Sequence, residues 1–176
     1  MFFEVRNIIV WSDFMQYNNL DFFKIISDIY ENYEFKKLDK CKHHGITRME
    51  HSLRVSYYTY IITKKLHLNY KEATRAALLH DFFTDEVSNL NMYGKFSKHP
   101  IIALSNAKKY FKINKFQEDI IVKHMWPCTL TPPKYIESWL VNIIDDISAV
   151  FERGYVTKNK LKLATSFIYL FIISRF

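Results

Sequence analysis

An all-α fold, a compact bundle of helices with a metal centre between them, is predicted by three observations. Only 3 glycines and 4 prolines occur in 176 residues, so tight turns are sparse. Apolar residues recur every three or four positions through long segments, the period of a helix with one buried face. His51, His80, Asp81, His99, His124 and Asp145 fall one or two at a time in those segments, as metal ligands do when a helical domain builds a site between its helices. Apolar residues make up 49% of the chain, enough for a real core, and no repeat, low-complexity tract or linker divides it. A single domain over 1–176 is expected.

Taken in order, residues 19–35 carry Leu20, Phe23, Ile26, Ile29 and Tyr30 at helical spacing and predict an N-terminal packing helix. Lys36 to Ile46, with His43-His44-Gly45, reads as a loop. From Arg48 to Leu66, a stripe of His51, Val55, Tyr58, Ile62 and Leu66 predicts a helix with His51 near its start. Residues 71–83 predict another, whose small residues Ala73, Ala76 and Ala77 let it approach its neighbour and bring His80 and Asp81 near His51. Thr84 to Lys98 is polar and reads as irregular. Pro100 suits the first turn of a new helix, with His99 at its mouth. Asn114 and Gln117 form a capping-box pattern, and Pro127 ends that helix near His124. Lys134 to Arg153 predicts a helix with Ser138, Asn142, Asp145 and Ala149 on one stripe and Ile136, Leu140, Ile143 and Ile147 on the other. An apolar C-terminal helix is expected around Leu161 to Ile173, packed on the domain or a partner, or lying on a membrane surface.

Composition narrows the class. The net charge of +7 favours anionic ligands, although the lysines are scattered in pairs and read mostly as solvated helix faces. Two distant cysteines, Cys41 and Cys128, suggest a reducing compartment and neither a disulfide framework nor a thiolate metal site. The start of the chain lacks a basic leader region, and the most apolar run, Phe167 to Ile173, is far shorter than a spanning helix needs. A cytoplasmic location without a transmembrane segment is therefore expected.

The six candidate residues are all imidazole or carboxylate, ligand types suited to Mn, Fe, Zn or Mg. Six such groups can hold two neighbouring ions if one carboxylate bridges, and a pair of ions can clamp both the attacking and leaving oxygens of a phosphoryl transfer. His43 and His44 read as surface-loop residues and His67 as structural. Trp126 and Trp139 read as core residues.

The elements R-M-E-H-S, A-A-L-L-H-D, S-K-H-P, I-V-K-H-M-W-P and D-D-I-S-A, from about Arg48 to Phe151, resemble the HD superfamily of metal-dependent phosphohydrolases. The extra histidines His99 and His124 resemble its binuclear subgroup. The resemblance implies that His51, His80, Asp81 and Asp145 hold one metal, and that Asp81 bridges to a second held by His99 and His124. It implies two divalent ions (Fe, Mn, Mg, Co or Zn) and a small phosphorylated substrate, in first place a nucleotide, with no nucleic acid partner. A homo-oligomer is left open. Asp145 is preferred to Asp146 because Ala149 follows it by four residues, as in the family's D-x-x-x-A pattern. Arg48, Lys95 and Lys98 are candidates to contact phosphate, Arg48 having a salt-bridge role as its alternative. Many members carry Lys or Glu three positions after the HD aspartate; here that position is Thr84, a poor acid or base, so either Asp85 or metal-bound water is left to assist Asp81 in catalysis. No G-Y-P motif is present, which disfavours cyclic dinucleotides as substrates. A di-iron oxygenase on the same ligand set, or a non-catalytic metal-binding regulatory module, are the alternative readings.

Overall fold

The structure is a computed structural model and describes residues 19–173 apart from 44, 85, 88 and 90. Helix α1 (Leu20–Tyr30) begins where Asn19 accepts the Phe22 N–H, supplying a partner for one of the helix's orphan donors. It buries Phe22, Ile25, Ile26 and Ile29. This is the expected packing helix, turned by part of a turn: Leu20 is exposed, because 22-25-26-29 is the complete i, i+3, i+4, i+7 set. Asn32 caps the single turn α2 (Tyr33–Lys36), and a 3-10 turn follows (Lys37–Lys40). Part of the expected loop is a two-residue antiparallel ladder of β1 (Lys42–His43) with β2 (Ile46–Thr47). Gly45, at φ 95°, turns the chain between them where a side chain would be strained. The fold is otherwise all-α among the described residues.

Helix α3 (Arg48–Lys65) starts at a reciprocal capping box of Thr47 and Glu50. Its inward face differs from the predicted stripe. His51 and Val55 are buried, but Tyr58 and Leu66 are exposed, and Ser52, Ser56, Thr59 and Thr63 face inward. These small side chains allow close approach to α4 (Tyr70–Leu79), whose Ala73, Ala76 and Ala77 are fully buried. The Ser56 hydroxyl donates to the Thr74 carbonyl across the contact at 2.8 Å, so that buried hydroxyl is partnered, whereas those of Ser52 and Thr59 are not among the described residues. Enlarging this contact is expected to cost stability: Ala77→Leu should lower it by about 1–3 kcal/mol through overpacking, as read by urea denaturation.

Helix α4 ends at Leu79, and residues 80–84 form a turn held by Phe83 N–H donating to the Asp81 carbonyl at 2.8 Å. The helix expected to reach residue 83 therefore stops short, and His80 and Asp81 leave its end on non-repeating backbone. Helix α5 (Met92–Tyr110) begins earlier than expected, capped by Asn91, which accepts the Gly94 N–H. Pro100 is consequently inside a helix, and His99 sits in its middle and not at its mouth. Helix α6 (Lys115–Lys123) has the predicted Asn114–Gln117 box and ends at His124. Helix α7 (Ile136–Ile173) is continuous over 38 residues and joins the two C-terminal helices expected separately. Its Ser138, Asn142, Asp145, Ser148 and Glu152 are buried, whereas Ile136, Ile143 and Ile147 are exposed. Among the described residues no helix is long and apolar enough to cross a membrane.

Candidate metal centre

Five helices converge so that six side chains meet. His51 comes from the first turns of α3, His80 and Asp81 from the end of α4, His99 from α5, His124 from the end of α6 and Asp145 from α7. All six are buried. Three overlapping groups, His51–His80–Asp81, His80–His124–Asp145 and Asp81–His99–His124, each bring one ligand atom per residue within 4.8 Å of the others. His80, Asp81 and His124 each belong to two groups, so the groups form one continuous centre.

The rings are oriented by one device. His80 Nδ1 lies 2.7 Å from the Ala77 carbonyl, His99 Nδ1 2.8 Å from that of Lys95, and His124 Nδ1 2.8 Å from that of Ile121. A carbonyl only accepts, so each Nδ1 carries the proton and each Nε2 presents a lone pair to the centre. His51 Nδ1 faces the Glu152 carboxylate at 2.9 Å, and its Nε2 lies 2.8 Å from Asp145. Glu152 is in turn held by Arg54 at 2.8 Å.

This arrangement asks for a cation. The Nε2 atoms of His99 and His124 are 2.9 Å apart, which sets two lone pairs against each other. Asp81 Oδ1 is 3.3 Å from the first and 3.8 Å from the second. Burial, then His80 and His99, push the His124 pKa down to about 3, so a proton is poorly held there near neutral pH. The buried His80 Nε2 has no hydrogen-bond partner, a costly state for a polar atom. Burial opposes charging His80, but Asp81 and Asp145 outweigh it and raise its proton affinity. The negative field that attracts a proton attracts a divalent ion as well. Asp145 is driven well below the usual carboxylate range: its burial acts the other way but is overcome by the hydrogen bond with His51 and by His80 close by, its Nε2 3.7 Å from Asp145 Oδ1. The donor set of neutral imidazole and ionised carboxylate fits divalent transition metals.

His51 responds differently. Burial lowers its pKa, but hydrogen bonds to Asp145 and Glu152 outweigh that and push it up to about 10. Without metal the ring is therefore held as a cation between two carboxylates. A folded-state pKa above the unfolded ~6.5 adds stability fully present below pH ~6.5 and lost as pH rises through about 10. Melting curves of the chelated protein should accordingly fall as pH rises from ~6.5 to about 10, and His51→Gln should remove much of that limb.

The other candidates are placed as follows. Arg48 donates Nη1 to the carbonyls of Phe83 and Thr84 at 2.9 and 3.1 Å, lies 3.8 Å over the Phe83 ring centre, and sets Nε 3.7 Å from Asp81 Oδ2. It thus clamps the turn that carries Asp81. Lys95 and Lys98 are exposed on α5 and not in a loop. Asp85 lies outside the described residues. The Thr84 N–H and hydroxyl both donate to Glu86, at 2.6 and 3.1 Å. Asp146 is exposed, as its position one residue beyond Asp145 requires. Sequence reasoning missed two residues. Glu152 falls seven after Asp145, two turns along the same helix face, which was a readable signal. Asn142 donates to the carbonyls of His124 and Trp126 at 2.5 and 2.9 Å, docking the end of α6 on α7; only the fold reveals that contact.

With this geometry established, comparison with known families is informative. A family model described as the HD domain matches residues 48–150, the span that supplies every side chain of the centre except Glu152. No curated protein and no solved structure matches the chain. Covering more than half the chain and carrying the histidine-aspartate pair at its buried centre, the match places the protein in the HD domain family, a superfamily of metal-dependent hydrolases.

Proposed function

We propose that the chain is a binuclear metal-dependent phosphohydrolase that cleaves a phosphate ester or anhydride of a nucleotide or another small phosphorylated compound. The observation that carries this reading is the pair of facing Nε2 atoms of His99 and His124 beside the Asp81 carboxylate, in contact with a second set of ligand groups around His51 and His80. In this reading His51, His80, Asp81 and Asp145 hold one ion, and Asp81, His99 and His124 the other. Divalent cations, when bound, polarise a phosphoryl oxygen and acidify water, the two needs of hydrolysis.

The chain's own residues do the rest. Arg48 acts as a positioning residue, since its clamp on the Phe83 and Thr84 carbonyls orients Asp81. Phosphate contacts then fall to the exposed Lys95 and Lys98, which attract an anion as point charges. Asp85 is the candidate to protonate the leaving group, because Thr84 cannot do so near neutral pH. Glu152 fixes the His51 tautomer that turns Nε2 to the centre. Glu152→Ala should weaken metal binding about 10–100-fold, the usual effect of losing a carboxylate behind a ligating histidine. Glu152→Gln, which keeps an acceptor, should lose less, as measured by competition with a chelator.

The reading is tested by a phosphate-release screen over nucleotides and sugar phosphates, with Mn, Fe or Co supplied and oxygen excluded. Release that vanishes with chelator supports it. No release from metal-replete protein, together with oxygen consumption on an organic substrate, would replace it with the di-iron oxygenase.

A further inference from the structure

Helix α7 buries Val141 and Ile144 together with the polar side chains that face the centre, and still leaves a run of large apolar side chains outward. Ile136 is 56% exposed, Ile143 48%, Ile147 51%, Val150 68% and Phe151 73%. A packed surface helix does the reverse. With the half-buried Leu140, the positions 136, 140, 143, 147 and 150 repeat at spacings of 4, 3, 4 and 3. That spacing keeps the five on one face of the helix and fits the a/d seam between two helices. The helix runs roughly 57 Å at 1.5 Å per residue, well past residue 150, where the family match ends. In the sequence the same register continues through the small Gly154 and Thr157 to Leu161, Ala164, Ile168 and Phe171.

We propose that this seam binds the same seam of a second copy of the chain, as an antiparallel two-stranded coiled coil about a two-fold axis. The flanking charges select both the partner and the direction. Asp146 and Arg153 are exposed and occupy equivalent positions beside the seam, one heptad apart. With Ile147 layered against Val150 of the second copy, Asp146 meets Arg153 of the second copy, and the two-fold makes the contact twice. A parallel pair would instead bring Arg153 against Lys158 of the second copy, a like-charge clash. The assembly leaves the metal centre on the opposite face of α7 and does not depend on the proposed chemistry.

The test uses the full chain in sedimentation velocity. Wild type should sediment with twice the chain mass of 21.2 kDa. The double variant Ile147→Glu with Val150→Glu replaces exposed residues, so it should keep its circular dichroism spectrum and metal content while becoming monomeric. Asp146→Arg should raise the dissociation constant at least tenfold, and adding Arg153→Asp should restore it. With Cys41 and Cys128 replaced by Ser, a mixture of Ile147→Cys and Val150→Cys copies should cross-link to each other. Monomeric wild type at 100 µM, or a dimer that survives the double variant, would overturn the proposal. So would cross-linking only between identical positions, or a monomer that uses these residues to bind anionic phospholipid vesicles.

Discussion

Replacing Asp81 by Ala is expected to strip metal from the whole centre. Its carboxylate belongs both to the His51–His80 group and to the His99–His124 group, and among the described residues no other carboxylate does. Its Oδ1 faces the two Nε2 atoms at 3.3 and 3.8 Å, while Oδ2 faces Arg48 at 3.7 Å. Removing it takes away the shared negative charge and leaves two imidazole lone pairs opposed. The expected loss of affinity exceeds the ~100-fold limit for a group that merely supports a ligand. His99→Ala should be milder, because His99 lies in only one group. Elemental analysis of protein purified without chelator checks both: near-zero metal in Asp81→Ala against partial content in His99→Ala. Wild-type content in Asp81→Ala would remove the basis for a bridged centre. Chelation should also lower the melting temperature of wild type and leave Asp81→Ala unmoved, since ions held only by the folded chain stabilise it.

The second large effect is expected at His80. Its ring is fully buried, its Nδ1–H is fixed on the Ala77 carbonyl, and its Nε2 has no hydrogen-bond partner among the described residues, Asp145 Oδ1 lying 3.7 Å away. His80→Ala should reduce phosphate release on the order of a thousandfold, the loss of a few kcal/mol of stabilisation at the developing phosphoryl charge. Circular dichroism checks that the fold survives, since the ring is fully buried between those of His51 and His124. His80→Asn keeps a polar group but carries no imidazole lone pair, and should not restore activity. Substantial release by either variant would show that the chemistry lies elsewhere in the molecule.

Much of the fold was readable because helices announce themselves locally. The Asn114–Gln117 box and the break at Pro127 bounded α6 as expected, since capping and proline geometry act within a few residues. The same local rules misled at Pro100. A proline inside a helix looks in sequence like one at its start, and the Asn91 cap that sets the true start was not recognised. The inward face of α3 was also misread. Hydrophobic periodicity assumes that apolar means buried, but α3 buries hydroxyls against the alanines of α4. On α7 the polar and apolar stripes fall as expected, with the polar one turned to the centre.

By itself the sequence determined which groups could bind metal and roughly where along the chain they fall, because ligand chemistry resides in residue type and the histidine-aspartate pair with its outlying partners is a sparse pattern. It also determined that the chain is helical, because periodicity and scarce glycine are properties of short segments. Only the tertiary structure decided what each ligand is held by. Asp81 depends on a clamp from Arg48 some 33 residues earlier in the chain, and His51 on Glu152, 101 residues later. Such partners are chosen by how helices cross, and crossing is fixed by side chains packing at long range, which no local period encodes.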